Sequence, residues 1–291
     1  MRTSEQRWFI TGASRGLGRA IADEALRRGH RVAVTARDVA ALTGFVPADR
    51  VLALALDVRD RDAVFRAVDA AAAHLGGLDV VVNNAGYGLF GPLESIVEAE
   101  LDEQVDTNVY GPLRVCQAAV PHLRRGGGGR ILQMSSIAGF VGSPGSGPYN
   151  LSKFALEGLS EAIAQELAPE NVFVSLVEPG GFRTDFAEAR SVRFSSGGTP
   201  EQLAAVRQRL ASFSGRQMGD PKEAARVIVD CAALDDPPFR LILGEDAAQR
   251  FQTKVDFLQD ELEAFAALSK TKPLAGSAPL GLAPFTRPWR K

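Results

Sequence analysis

The chain has 291 residues, 45% of them hydrophobic and 23% charged, a composition of folded globular domains rather than of disordered or fibrous chains. Its 33 basic and 35 acidic residues give a net charge of -2 and a pI near 6.0, which argues against nucleic acid as the main partner. Apolar runs break well short of the ~18 residues of a membrane span, and the polar stretch 1–7 has no signal-peptide layout. Cys116 and Cys231 form no Cys-x-x-Cys pair, so a reducing cytoplasm without a disulfide framework is expected. The three histidines lie far apart without metal-ligand spacing, so no metal site is expected and the chemistry must proceed without a histidine base or a zinc ion.

In chain order, short β-rich runs alternate with longer helical patterns, which predicts βαβ units and a parallel sheet. Strands are expected at 7–11, 31–36, 51–56, 79–83, 130–135, 172–178 and 240–243. Between the first two, Leu17, Ile21 and Ala25 share one helical face, and Gly29 after Arg27-Arg28 is a stop signal. A second helix over 61–74 closes at Gly76-Gly77. The strands read as nearly continuous Val, Leu, Ile and Ala, which implies helices on both faces of the sheet. The connection 186–219 is long enough to carry its own helices and cover a site. A helical pattern at 249–269 and a Pro/Gly-rich tail at 272–291 follow the last strand, the tail being either disordered or docked on a neighbour. No repeat or central linker appears, so one domain is expected over 1–250, with the helix and tail of 251–291 as an extension.

Four constellations carry chemistry. Thr11-Gly12-Ala13-Ser14-Arg15-Gly16-Leu17-Gly18 joins the first strand to the first helix, where glycines let the backbone approach a pyrophosphate at the helix N-terminus. At the end of the second strand, Ala36 stands where an acid would take a ribose 2′-hydroxyl. Arg37 next to it, with Arg15 nearby, suits the 2′-phosphate of NADPH better than NADH, although Asp38 follows directly. Asn83-Asn84-Ala85-Gly86 follows the fourth strand and lets a flat adenosine segment pass, or merely caps turns. Tyr149 and Lys153 are four apart at the start of a helix over 149–167, with Ser136 just past the fifth strand. A phenol with a pKa near ~10 becomes an effective acid–base catalyst only if a nearby ammonium and an oxidised nicotinamide favour the phenolate.

These residues, with Asp57, Asn108 and Pro179-Gly180, resemble in order the motifs of the short-chain dehydrogenase/reductase family. The segment 84–93 is similar to the branch containing 17β-hydroxysteroid dehydrogenase-like enzymes. The resemblance covers roughly 7–245 and implies a single doubly wound Rossmann domain with a seven-stranded parallel sheet, helices on both faces, and a C-terminal helical extension. It implies catalytic roles for Asn108, Ser136, Tyr149 and Lys153. Tyr149 would exchange the proton and Ser136 would bind the substrate oxygen. Lys153 would hold the nicotinamide ribose and lower the pKa of Tyr149, and Asn108 would hold a relay water. Cofactor contacts are implied at Gly12, Ser14, Arg15, Gly16, Leu17, Gly18, Arg37, Asp57, Val58, Asn84, Ala85, Gly86, Pro179, Gly180, Phe182 and Thr184. Gly181, a second glycine after Pro179, departs from the family pattern and could seat the loop differently. Tyr87, Phe140, Val141, Ser143, Phe182 and Phe186 are expected to form a mostly apolar substrate pocket, or to pack against the covering loop.

The expected activity is NADP(H)-dependent reduction of a hydrophobic ketone or aldehyde, or oxidation of a secondary alcohol. A homodimer or homotetramer through 98–123 and 149–167 is expected. Two alternatives stay open at this point: an epimerase or dehydratase that uses NADP(H) internally, and a non-catalytic NADP(H)-sensing regulator.

Overall fold

The computed structural model describes residues 5–183, 191–213 and 217–270. Its elements follow the alternation of the sequence: β1 (Arg7–Ile10), α1 (Gly16–Arg27), β2 (Arg31–Ala36), β3 (Val51–Ala55), α2 (Arg61–Leu75), β4 (Val80–Asn83) and β5 (Gly88–Phe90). They continue through α3 (Glu98–Val105), α4 (Gly111–Arg125), β6 (Gly129–Met134), α5 (Gly147–Leu167) and β7 (Val172–Pro179). The remainder is β8 (Val192–Phe194), α6 (Pro200–Phe213), α7 (Pro221–Ala233), β9 (Arg240–Leu243) and α8 (Glu245–Ala264). Local chemistry sets several boundaries. The Asp60 side chain caps Ala63 N at the start of α2, and Gly76 ends that helix in the left-handed conformation with φ 78°.

Seven strands form one parallel sheet in the order β3-β2-β1-β4-β6-β7-β9. The direction of winding reverses between β1 and β4, where Ile10 pairs with Val34 on one side and Val82 on the other. A crevice at such a reversal, beyond the carboxyl ends of the strands, is where open α/β sheets bind ligands. Successive residues of β1 point to opposite faces. Phe9 joins Val64, Val115 and Ala164 of α2, α4 and α5, whereas Trp8 and Ile10 join Ile21 and Ile228 of α1 and α7. The two apolar layers explain why the strands are hydrophobic on both sides.

Three features were not anticipated. A second, two-stranded parallel sheet pairs β5 with β8, in the register Gly88 to Val192 and Phe90 to Phe194. The helical run expected at 98–123 contains a π-helical turn at Asp106–Tyr110, which the apolar pattern does not reveal. The C-terminal helix starts at Glu245, directly after β9, and so spans the boundary expected at 250. Within the described part of the connection after β7, α6 is the expected internal helix.

Candidate active site

The loop after β1 is shaped by glycine. Gly12 and Gly16 have φ values of 66° and 57°, in the left-handed region. A Cβ on Gly18 would stand 2.5 Å from Gly12 O and overlap Asn84 Nδ2. That Asn84 amide donates to Thr11 O and Gly12 O, each at 2.9 Å, while the Thr11 hydroxyl accepts from Asn84 N and Ala85 N at 3.0 Å. The loops carrying Gly12–Gly18 and Asn84–Gly86 are thus one hydrogen-bonded unit. Helix α1 has no side-chain cap and no acid in its first turn, in contrast to α2 and α7, which Asp60 and Asp220 cap. An uncapped N-terminus below a glycine cradle fits a dinucleotide pyrophosphate.

Around this cradle the expected contacts differ in kind. Arg37 is exposed at the end of β2, and Asp38 is committed to capping Ala40 N. Arg15 instead donates to Ser191 Oγ at 2.8 Å, tying the glycine loop to the start of β8. Asp57 accepts from Arg59 N and its guanidinium, which holds its carboxyl below the usual range despite partial burial. Val58 is buried against α4, where a Cβ on Gly111 would stand 2.8 Å from its Cγ2. Leu17 packs on the core beneath α1, and Ser14 is half-buried in the loop above it.

At the other end of the crevice, Tyr149 and Ser136 are hydrogen-bonded, and Lys153 Nζ lies 5.8 Å from the Tyr149 ring centroid. Ser136 sits just past β6, caps Ala138 N, and reaches Pro179 O at 3.4 Å. Lys153 is buried and donates to Met134 O at 2.6 Å. Asn108, in the π-helical turn, accepts from Tyr87 N and donates to Tyr87 O at 2.8 Å and Ser152 Oγ at 3.0 Å. Ser152 donates in turn to Tyr149 O at 2.9 Å. The four residues expected to be catalytic therefore converge, Asn108 through Ser152 rather than directly on Lys153.

Burial pushes the Tyr149 phenol up to about 12, with the Ser136 hydrogen bond pulling the other way. Burial also brings the Lys153 ammonium down to about 8, against the attraction of Glu157. In the protein alone, desolvation of the phenolate outweighs the Ser136 hydrogen bond and holds the phenol up. Burial raises Cys116 to about 12 and Cys231 to about 11, so neither offers a thiolate. Among the described residues no group of His, Cys, Asp and Glu could hold a metal ion, and no helix is long and apolar enough to cross a membrane.

The expected substrate residues divide. Phe140 stacks on Phe251 of α8 with ring centroids 4.3 Å apart, and Ser143 Oγ accepts from Arg250 at 2.9 Å, so both are engaged with the C-terminal helix. Val141 is held through its carbonyl by Asn150 Nδ2. Tyr87 lines a cavity of about 310 Å³ with Glu100, Arg193 and Phe194, to which Ser136, Tyr149 and Lys153 do not contribute. Phe182 pairs with Gly219, where the chain returns from the long connection. Thr184 and Phe186 lie outside the described residues. Sequence reasoning missed Phe90, whose ring lies 5.6 Å from that of Tyr149. It also missed Ser152 and Asn150, although their spacing from Tyr149 places them on the first turns of the same helix.

Comparison with known proteins adds the following. The profile described as short chain dehydrogenase matches residues 6–193. An oxidoreductase of Botryotinia fuckeliana is 37% identical over 267 residues, covering 90% of this chain and 97% of its own. A 3-ketodihydrosphingosine reductase of Bacteroides thetaiotaomicron is 34% identical over 260 residues, covering 89% and 95%. The crystal structure of a short-chain dehydrogenase from Streptomyces avermitilis superposes with a TM-score of 0.84 at 36% identity, covering 91% and 98%.

Proposed function

The chain belongs to the short-chain dehydrogenase/reductase family of oxidoreductases, and from that premise we propose that it transfers hydride between NADP(H) and a hydrophobic ketone, aldehyde or secondary alcohol. The observation that carries this reading is the Ser136–Tyr149 hydrogen bond beside the buried Lys153 ammonium. When bound, the nicotinamide would supply or accept the hydride.

The rest falls to this chain's own groups. Tyr149, protonated up to about 12, is a ready donor to a carbonyl oxygen as negative charge builds there. The Ser136 hydroxyl donates to the same oxygen, a contact strongest in the transition state. Lys153 stabilises the phenolate left behind. Asn108 and Ser152 hold the Tyr149 backbone, so the phenol is aimed before substrate arrives.

NADP(H) is preferred on account of Arg37, whose guanidinium fork matches a 2′-phosphate while Asp38 is occupied by its own turn. An apolar substrate is favoured by Phe90 against the Tyr149 ring. The Bacteroides relative, named for reducing a keto compound, is consistent with a ketone substrate. Exposed Tyr110, Leu151 and Phe154 on the helices at 98–123 and 149–167 support assembly as a homodimer or homotetramer there.

The test is the loss of 340 nm absorbance with NADPH or NADH across a panel of carbonyl compounds. Turnover of apolar ketones or aldehydes with NADPH is expected. Turnover confined to small polar keto acids, or to NADH, would overturn the substrate or the cofactor assignment respectively.

A further inference from the structure

Helix α8 begins where β9 ends, and its first turns reach both loops beside the Ser136–Tyr149 pair. Asp246 Oδ2 accepts from Gly181 N at 2.8 Å, and Gly180 N donates to Leu243 O at 2.9 Å. A Cβ on Gly180 would stand 2.5 Å from Asp246 Oδ2 and 2.6 Å from its Cγ. Only a glycine lets the loop lie this close against the carboxylate. Gly181 contributes its N–H, since a Cβ there would meet Asp246 Oδ2 at an ordinary 3.5 Å.

One turn further, Arg250 donates to Ser143 Oγ and Phe251 stacks on Phe140. Residues 140 and 143 follow Ser136 closely, and Ser136 Oγ reaches Pro179 O. Asp246 and Arg250 lie one turn apart on one face of α8 and Phe251 follows beside them, so a single helix grips the two loops that meet at Ser136. The restraint extends to the long connection: Gly219 N donates to Gly181 O at 3.1 Å, and Arg183 N donates to Gly219 O at 2.9 Å.

We propose that Asp246 is a positioning residue that fixes the Pro179-Gly180-Gly181 backbone for the nicotinamide half of the cofactor, which makes the C-terminal helix part of the reaction apparatus. This rests on the NADP(H) reading above. Asp246 forms its hydrogen bond with Gly181, not with the cradle at Gly12–Gly18, which would hold the other half of the dinucleotide, so the two halves respond separately.

The experiment titrates Asp246→Ala and Asp246→Asn with NADPH and with 2′,5′-ADP, which lacks the nicotinamide. Loss of a charge-assisted hydrogen bond is expected to weaken NADPH about ten- to a hundredfold in the alanine variant, with 2′,5′-ADP unchanged within about twofold. Asp246→Asn keeps an acceptor oxygen and is expected to recover most of the loss. Leu262→Ser, on the exposed end of α8, is expected to bind both ligands as the parent does. Should the alanine variant fail to fold, Asp246→Glu, which shifts the carboxylate by one methylene, is expected to show the same split. Equal weakening of both ligands, or unchanged NADPH affinity, overturns the proposal. A parent protein that binds neither ligand refutes the cofactor reading instead.

Discussion

Replacing Gly18 with alanine adds one methyl group where the first helix passes closest to its neighbours. The new Cβ would stand 2.5 Å from Gly12 O and 3.0 Å from Asn84 Cγ, and nearer still to Asn84 Nδ2. Relief requires Gly12 O to shift and the Asn84 side chain to leave, with its two 2.9 Å hydrogen bonds to Thr11 O and Gly12 O. Each is a neutral bond contributing about 1 kcal/mol, and overpacking adds about 1–3 kcal/mol. Alanine's preference for helix returns at most about 1 kcal/mol. The net loss is about 2–4 kcal/mol, which lowers Tm by roughly 4–16 °C in a chain of this size. NADPH affinity is expected to fall with it, since the displaced loop is the one proposed to cradle the pyrophosphate. Thermal melts and NADPH titrations of Gly18→Ala, Asn84→Ala and the double variant form a cycle. Removing Asn84 relieves the side-chain part of the clash and leaves only Gly12 O to shift, so a favourable coupling of about 1 kcal/mol is expected. Parent-like Tm and affinity in Gly18→Ala, or strict additivity in the cycle, would refute the steric reasoning.

Arg37→Ala is expected to weaken NADPH about ten- to a hundredfold while leaving NADH nearly unchanged; equal losses for both would remove Arg37 from the 2′-phosphate site. Glu178 is held up at about 7 by burial and by Glu157, against the pull of Arg240. Its folded form keeps a proton that the unfolded chain releases near 4.5, so stability falls as pH climbs from about 4.5 to about 7, by on the order of 3 kcal/mol. Denaturant melts at several pH values should show that fall, flattened in Glu178→Gln; a fall that survives the substitution would assign it elsewhere. Lys153 loses its proton through about 8, so kcat/KM for carbonyl reduction should decline above that pH. A profile flat to pH 10 would show that the ammonium is not required.

The sheet was legible because its inner strands are buried on both faces and each is followed by a glycine or a cap. Ser136, Tyr149 and Lys153 were legible because one helical turn and one strand end bring them together with little help from the rest of the chain. The π-helical turn at Asp106–Tyr110 was not, since one extra residue in a helical turn leaves no mark on the apolar pattern, yet it is what aims Asn108 at Ser152. Strands of three residues, Gly88–Phe90 and Val192–Phe194, fall below the length at which alternation is readable. The role of α8 was hidden for a different reason. Asp246, Arg250 and Phe251 look like ordinary amphipathic-helix residues, and only the return of β9 to the sheet edge beside Pro179 brings them to the loops. The phenol's raised pKa was also invisible, because burial is a property of the packed cleft rather than of Tyr149 and its neighbours in sequence.

The most direct measurement compares the parent with Tyr149→Phe in kcat for NADPH-dependent reduction of an apolar ketone, alongside NADPH affinity. The substitution removes the transferable proton while keeping the ring beside Phe90, so kcat should fall about 10²–10⁴-fold with affinity within about twofold. Turnover equal to the parent's would show that the proton reaches the substrate from another group.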